Sequence, residues 1–219
     1  MIYDLDRAHR VLRPGITAII AAHPARLRNG LLNRALQSVT AQTLQPAEII
    51  VVNDIEKHGA GRTRSMILDR VQTTQMAWLD SDDYWYPSHL QNLSDEATRT
   101  GAKYVFSWFD GPFDPLGHFG KTYNVHSPHH TTITALIDVA LAKEVGYPDT
   151  SAEGPFSNED WAFISRFAEI CAERYVDCMD PMPIPGSIGY PMIHLPKRTW
   201  YWCQDGQNTS GRPNQGDAQ

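Results

Sequence analysis

Apolar positions along the chain switch between two periods. Ile16 to Ala22 is a nearly continuous apolar run rich in β-branched residues, the pattern of a strand buried on both faces of a parallel sheet. The polar stretch before it ends in Arg13-Pro14-Gly15, a breaker expected to delay the first core element. Leu31, Leu32, Ala35, Leu36 and Val39 then recur at helical spacing, predicting a helix from about Asn29 to Gln42. Glu48 to Val52 reads as a second buried strand, with Asn53 and Asp54 at its carboxyl end. After a glycine turn over Lys57 to Gly61, Arg62, Arg64, Met66, Ile67, Leu68 and Val71 lie on a second helix. Met76-Ala77-Trp78-Leu79 is the end of a third strand, a mostly polar helix follows Pro87 to about Thr100, and Tyr104 to Phe109 is a further strand. The order β-α-β-α-β-α-β predicts one open, mostly parallel but mixed α/β sheet flanked by helices, with right-handed crossovers.

Beyond Asp110 the pattern changes. Gly111, Pro112, Pro115, Gly117 and Gly120 interrupt the chain, and Ile133 to Gly146 reads as a short helix after a strand. Asn158 is placed to cap another helix whose first turn holds Glu159 and Asp160, which suits the helix dipole. Trp161, Ile164, Phe167, Ala168 and Cys171 are expected on its apolar face. Prolines 181, 183, 185, 191 and 196 argue for irregular or edge structure. The resulting organisation is a single Rossmann-like domain: an extension over 1–15, a first half over 16–110, a second half over 111–206 and a flexible tail over 207–219.

Composition narrows the function. Charged residues make up 20% and hydrophobic ones 42%, as in a globular protein and unlike a disordered one. A net charge of −6 disfavours nucleic acid as a partner, since nothing in the overall balance attracts phosphate. No apolar run is long enough for a membrane span, and the first residues lack the layout of a secretion signal. Cys171, Cys178 and Cys203 form neither a disulfide framework nor a paired zinc motif, so reduced thiols and a cytoplasmic location are expected.

The candidate chemistry sits where strands end. In an open α/β sheet ligands bind at the carboxyl ends of the strands, and those ends carry His23 and Arg26, Asp54, and Asp80-Ser81-Asp82-Asp83. Three carboxylates within four residues repel one another unless a hard divalent cation offsets them; a solvated acidic turn is the other reading. A calcium loop fails on spacing, with Trp85 and Gln91 where glycine and glutamate are needed.

Five segments agree in order and spacing with one family: Ile16 to His23, Leu36-Gln37-Ser38-Val39-Thr40-Ala41-Gln42, Glu48 to Asp54, Gly59-Ala60-Gly61-Arg62-Thr63-Arg64, and Leu79-Asp80-Ser81-Asp82-Asp83. Together they resemble the nucleotide-sugar domain of inverting glycosyltransferase family 2, which has the GT-A fold. The resemblance is strongest over 16–93, continues through Val145 to Asp149 and Asn158-Glu159-Asp160, and fades after about 175.

The resemblance implies a metal-dependent inverting transfer of a sugar from a nucleotide-diphosphate donor, UDP-linked by default, to an acceptor hydroxyl on a glycan, a protein or another compound. It places Ala22, His23, Arg26, Asp54, Arg64, Asp80 and Ser81 on the donor. His23 stands where the family has an aromatic ring, and Asp54 where it has the acid that meets the base. Asp82 and Asp80 match the DxD motif for Mn²⁺ or Mg²⁺, with His194 as a further metal ligand. Asp83 is left to cap the next helix or touch the sugar. Glu159 and Asp160 match the family's Glu-Asp pair, Asp160 as catalytic base. A homodimer is compatible with the sequence. The reading from a different class is a non-catalytic nucleotide-sugar or carbohydrate-binding module of the same fold.

Overall fold

The computed structural model describes residues 12–22, 30–53, 60–111, 135–148, 159–174 and 192–203. They form seven strands and five helices: β1 (Arg13–Ala22), α1 (Leu31–Thr40), β2 (Glu48–Asn53), α2 (Ala60–Leu68), β3 (Thr73–Asp80), β4 (Tyr84–Trp85), α3 (His89–Thr100), β5 (Tyr104–Asp110), β6 (Ala135–Asp138), α4 (Val139–Val145), α5 (Glu159–Arg174) and β7 (Met192–Tyr201).

One sheet joins the strands in the order β2-β1-β3-β6-β5-β7-β4. Strand β1 pairs parallel with both β2 and β3, with Ala18 opposite Ile49 on one side and Ala77 on the other. Strand β6 is inserted antiparallel between β3 and β5. Two reversals restore direction, so β5 runs with β3, and β7 pairs parallel with β5. The carboxyl ends of β1, β2, β3, β5 and β7 therefore emerge on one edge of the sheet. The mixed sheet flanked by helices agrees with the expectation, and its antiparallel share comes from β6 and from β4 against β7.

Strand β1 begins at Arg13, earlier than the Arg13-Pro14-Gly15 breaker suggests, because Gly15 turns the break into a bulge. Its φ is 131°, and a Cβ there would lie 2.8 Å from that of Ala47. Only glycine meets both conditions. Strand β2 is not buried on both faces: among the described residues it is the sheet edge, and Val51 is 45% exposed. Its apolar run looked like a central strand because local pattern carries no strand order. Strand β7 corrects the reading of Pro196 as edge or irregular structure. It lies between β5 and β4, and Pro196 falls in a register shift between the pairs Ser107–Leu195 and Trp108–Arg198. A bulge tolerates the missing N–H.

The core is built on both faces of β1, β3 and β5. Ile19, Ile20, Leu79 and Tyr104 are wholly buried, and Trp78 meets Tyr147 edge-on. Helix α5 closes one face with Phe163, Ile164, Phe167, Ile170 and Cys171. Trp161, expected on that face, is instead 43% exposed; Phe163 takes the inner position and stacks on Tyr147 at 4.2 Å. Each large side chain buried in this way contributes about 1.5–3 kcal/mol. Among the described residues no helix is long and apolar enough to cross a membrane.

Candidate active site

The turn between β3 and β4 carries Asp80, Ser81, Asp82 and Asp83, and two other elements, β1 and α1, hold its backbone. The Ser81 N–H donates to Ala21 O of β1 at 3.0 Å, and the Asp83 N–H closes the turn on Asp80 O at 3.1 Å. Arg34 of α1 donates through Nη2 to Asp82 O at 2.5 Å. Asp83 is buried, and its Oδ1 accepts the Cys203 N–H just past β7 at 2.8 Å. That bond replaces the helix-capping role expected of Asp83: α3 starts at His89 behind Ser88.

Below the turn, the Ser38-Val39-Thr40-Ala41-Gln42 helix end has a mechanical part. Ser38 Oγ accepts the Trp85 N–H at 3.1 Å. Gln42, 2% exposed, donates to Tyr86 O at 2.8 Å and accepts the Leu90 N–H at 2.9 Å. Helix α1 thus fixes both the strand after the carboxylates and the first turn of α3. Neither Arg34 nor Gln42 was singled out as functional from the sequence. Gln42 had a signal in its motif; Arg34 had none beyond lying one turn before Ser38.

Asp80, Asp82 and Asp83 each offer a carboxylate oxygen within 4.8 Å of the others. The donor set is all oxygen, two of its three members are buried, and its backbone is fixed by β1 and α1. Such a set fits Mg²⁺ or Mn²⁺.

Arg64 of α2 joins this turn to α5. Its guanidinium is buried and lies 3.3 Å from Glu159, 3.8 Å from Asp160 and 3.8 Å from Asp80, and 5.6 Å above the Trp78 ring. Burial alone would lower the Arg64 pKa, but Asp160, Asp80 and Glu159 outweigh it and the net direction is upward. Glu159 is buried, whereas Asp160 keeps part of its carboxylate in solvent. Two acidic groups some eighty residues apart in sequence thus share one cation at the carboxyl edge of the sheet.

Of the candidates read from the sequence, the structure brings together Arg64, Asp80, Ser81, Asp82, Glu159 and Asp160, and Ala22 ends β1 one residue past the Ala21–Asp80 pair. His23, Arg26 and Asp54 lie outside the described residues, as does Asn158. His194 does not belong to the carboxylate group. It sits within β7 opposite Phe106, stacked on that ring at 4.8 Å, and burial pushes its pKa down to about 4. The tryptophans divide: Trp85 and Trp200 are core residues, and Trp108 and Trp202 are half-buried.

Comparison with known proteins agrees with this geometry. Residues 55–148 match the model of Glycosyl transferase family 2. Over those residues the chain is similar to that family. The succinoglycan biosynthesis protein ExoW of Rhizobium meliloti (strain 1021) is 31% identical over 143 residues, covering 53% of this chain and 44% of that protein. Among solved structures, S. aureus TarS 1–349 in complex with UDP-GlcNAc superposes with a TM-score of 0.64 at 17% identity, over 90% of this chain and 61% of that one. The mannosyltransferase PcManGT from Pyrobaculum calidifontis, in complex with GDP-Man and Mn²⁺, gives 0.57 at 13% identity, over 86% and 56%. These likenesses identify the fold as GT-A. The chain spans less than half the length of this curated relative.

Proposed function

We propose that this chain is a family 2 glycosyltransferase, metal-dependent and inverting, that moves a sugar from a UDP-linked donor to an acceptor hydroxyl. The observation that carries the reading is Arg64, which holds the Asp80–Asp83 turn and the Glu159-Asp160 pair at one place on the carboxyl edge of the sheet. A donor diphosphate and an acceptor hydroxyl must meet at such a place.

Asp82 and Asp80 would hold the cation, Mn²⁺ or Mg²⁺. A cation held by these two carboxylates would supply charge stabilisation to the departing diphosphate without any proton transfer. Asp83 has one oxygen engaged with the Cys203 N–H and supports the turn. Inversion needs the acceptor oxygen to attack the anomeric carbon opposite the leaving nucleotide. Asp160, the more exposed of the α5 pair, is the base that takes the hydroxyl proton as that bond forms. Glu159 anchors Arg64 and so sets where Asp160 stands. Ala22, His23, Arg26, Asp54 and Ser81 are assigned to the donor side. The UDP preference is supported by the family resemblance and by the neighbour that binds UDP-GlcNAc; the GDP-Man complex of the other neighbour makes GDP the alternative to test.

Incubation with UDP-sugars and Mn²⁺ should release UDP, slowly by hydrolysis without acceptor. Asp160→Asn should lower transfer by about 10²–10⁴-fold while keeping UDP binding, and Asp82→Ala should lose both. No release from any donor, with no metal-dependent nucleotide binding, would overturn the enzyme reading in favour of a carbohydrate-binding module. Full activity in Asp160→Asn would overturn the base.

A further inference from the structure

The β5-β7-β4 side of the sheet carries a feature that the donor chemistry does not use. Tyr84, Tyr201 and Asp110 form one row across β4, β7 and β5, since Tyr84 pairs with Tyr201 and Tyr201 with Asp110. The row lies at the carboxyl edge of the sheet, and Tyr84 directly follows Asp83. Tyr84 and Tyr201 stack with centroids 4.9 Å apart and planes at 11°. The Arg34 guanidinium, which also holds the Asp82 carbonyl, lies over the Tyr84 ring at 5.0 Å. Tyr86 donates its hydroxyl to Asp110 Oδ2 at 2.8 Å, and Arg198 Nη1 reaches Asp110 Oδ1 at 3.3 Å. All three tyrosines are half-buried, and Arg198 is exposed.

Core packing does not account for this composition. An ordinary core row would bury its rings and keep charges out, as Trp85 and Trp200 do on the same strands. Here stacked phenol rings are bordered by a carboxylate and a guanidinium. The bond from Tyr86 holds the Asp110 carboxyl below its ordinary range, so it remains an acceptor. Aromatic faces are electron-rich and take the C–H face of a sugar ring, while a carboxylate and a guanidinium take its hydroxyls. Extended apolar partners would meet charged and hydroxyl groups in this row.

We infer that the row formed by Tyr84, Tyr86, Asp110, Arg198 and Tyr201 is the acceptor subsite, and that the acceptor is a carbohydrate whose pyranose ring packs on Tyr201. The inference rests on the proposed transferase function for its meaning, but the binding can be measured without turnover. Neither nucleic acid nor a protein side chain is the acceptor in this reading.

Saturation-transfer difference NMR on the whole chain, with and without UDP and Mn²⁺, tests it with four probes: lactose, cellotetraose, maltotetraose and chitotriose. The expected result is transfer to ring C–H protons of at least one saccharide. Affinity should fall about tenfold in Tyr201→Ala, the scale of losing one aromatic contact, and remain in Tyr201→Phe. Arg198→Ala, at an exposed position, should weaken binding similarly and serves if Tyr201→Ala does not fold. Binding of none of the four saccharides, or equal binding in wild type, Tyr201→Ala and Arg198→Ala, overturns the subsite. Saccharide binding without any UDP binding keeps the subsite and overturns the transferase reading.

Discussion

Arg64 is buried beside three carboxylates, and replacing it with a neutral residue would take its cation away from the buried Glu159. Asp80 and Asp160 keep solvent contact and relax more cheaply, so Glu159 dominates the loss. Arg64→Gln should cost about 3 kcal/mol, the lower end for breaking a buried pair. Urea unfolding measures this, and an unchanged midpoint would show that the carboxylates are solvated without it. Arg64→Lys should fall between, because an ammonium cannot fork to several carboxylates at once.

A second residue-scale prediction concerns His89. It is fully buried, stacks on Trp85, and shares a 2.6 Å hydrogen bond from Nδ1 with Thr199 Oγ1, which lies 2.6 Å from Ser107 Oγ. Burial pushes its pKa from 6.5 down to about 3, against a smaller upward effect of a hydrogen bond to the Thr199 backbone. The folded protein therefore excludes a proton that the unfolded chain accepts. Stability should be complete above about pH 6.5 and decline as pH falls towards about 3. His194, lowered to about 4, acts in the same direction. Unfolding midpoints measured across that range should slope downward with acid, and His89→Phe should flatten the slope. A slope unchanged in that variant would remove His89 as its source.

Among the elements, α1 shows how a motif read as family likeness becomes a structural device. Gln42 donates to the Ser38 and Tyr86 carbonyls and accepts from the Leu90 amide, all at buried or half-buried sites. Gln42→Ala would leave the Leu90 N–H and the Tyr86 carbonyl without these partners, at a cost of about 2–4 kcal/mol. A drop in urea midpoint together with weaker Mn²⁺-dependent UDP binding is expected, since the same helix positions the β3–β4 turn. A drop in stability with nucleotide affinity intact would separate the two roles.

Element identity was legible in this chain and element environment less so. The period of α5 was readable, but Trp161 and Phe163 exchanged places because residues two apart on a helix cannot be ranked by hydrophobicity alone. The carboxylate cluster was legible because three acids within four residues repel one another and have no use in a core. Arg34 was not legible, since its partner is a backbone carbonyl and no side-chain pattern marks such a bond.

At the scale of the molecule, the insertion of β6 between β3 and β5 could not be read from sequence. Ala135, Leu136 and Ile137 form a run too short to tell from the start of a helix, and pairing order is a property of the assembled sheet. Yet that insertion is what returns β5 and β7 to the direction of β3, and so puts the tyrosine row and the carboxylates on one edge. A donor bound at that edge would touch β1, β3, α2 and α5 together, so its binding energy should appear as stability of the whole fold. At about one hundred times its Kd a ligand adds about 2.7 kcal/mol. For a domain of this size that corresponds to a rise in Tm of about 5–10 °C. UDP with Mn²⁺ should give this rise by differential scanning fluorimetry, and EDTA should reverse it. Asp82→Ala should show no rise while melting as a single transition. A full rise in Asp82→Ala, or one unaffected by EDTA, would mean that the nucleotide binds without the cation and that the carboxylate turn serves another purpose.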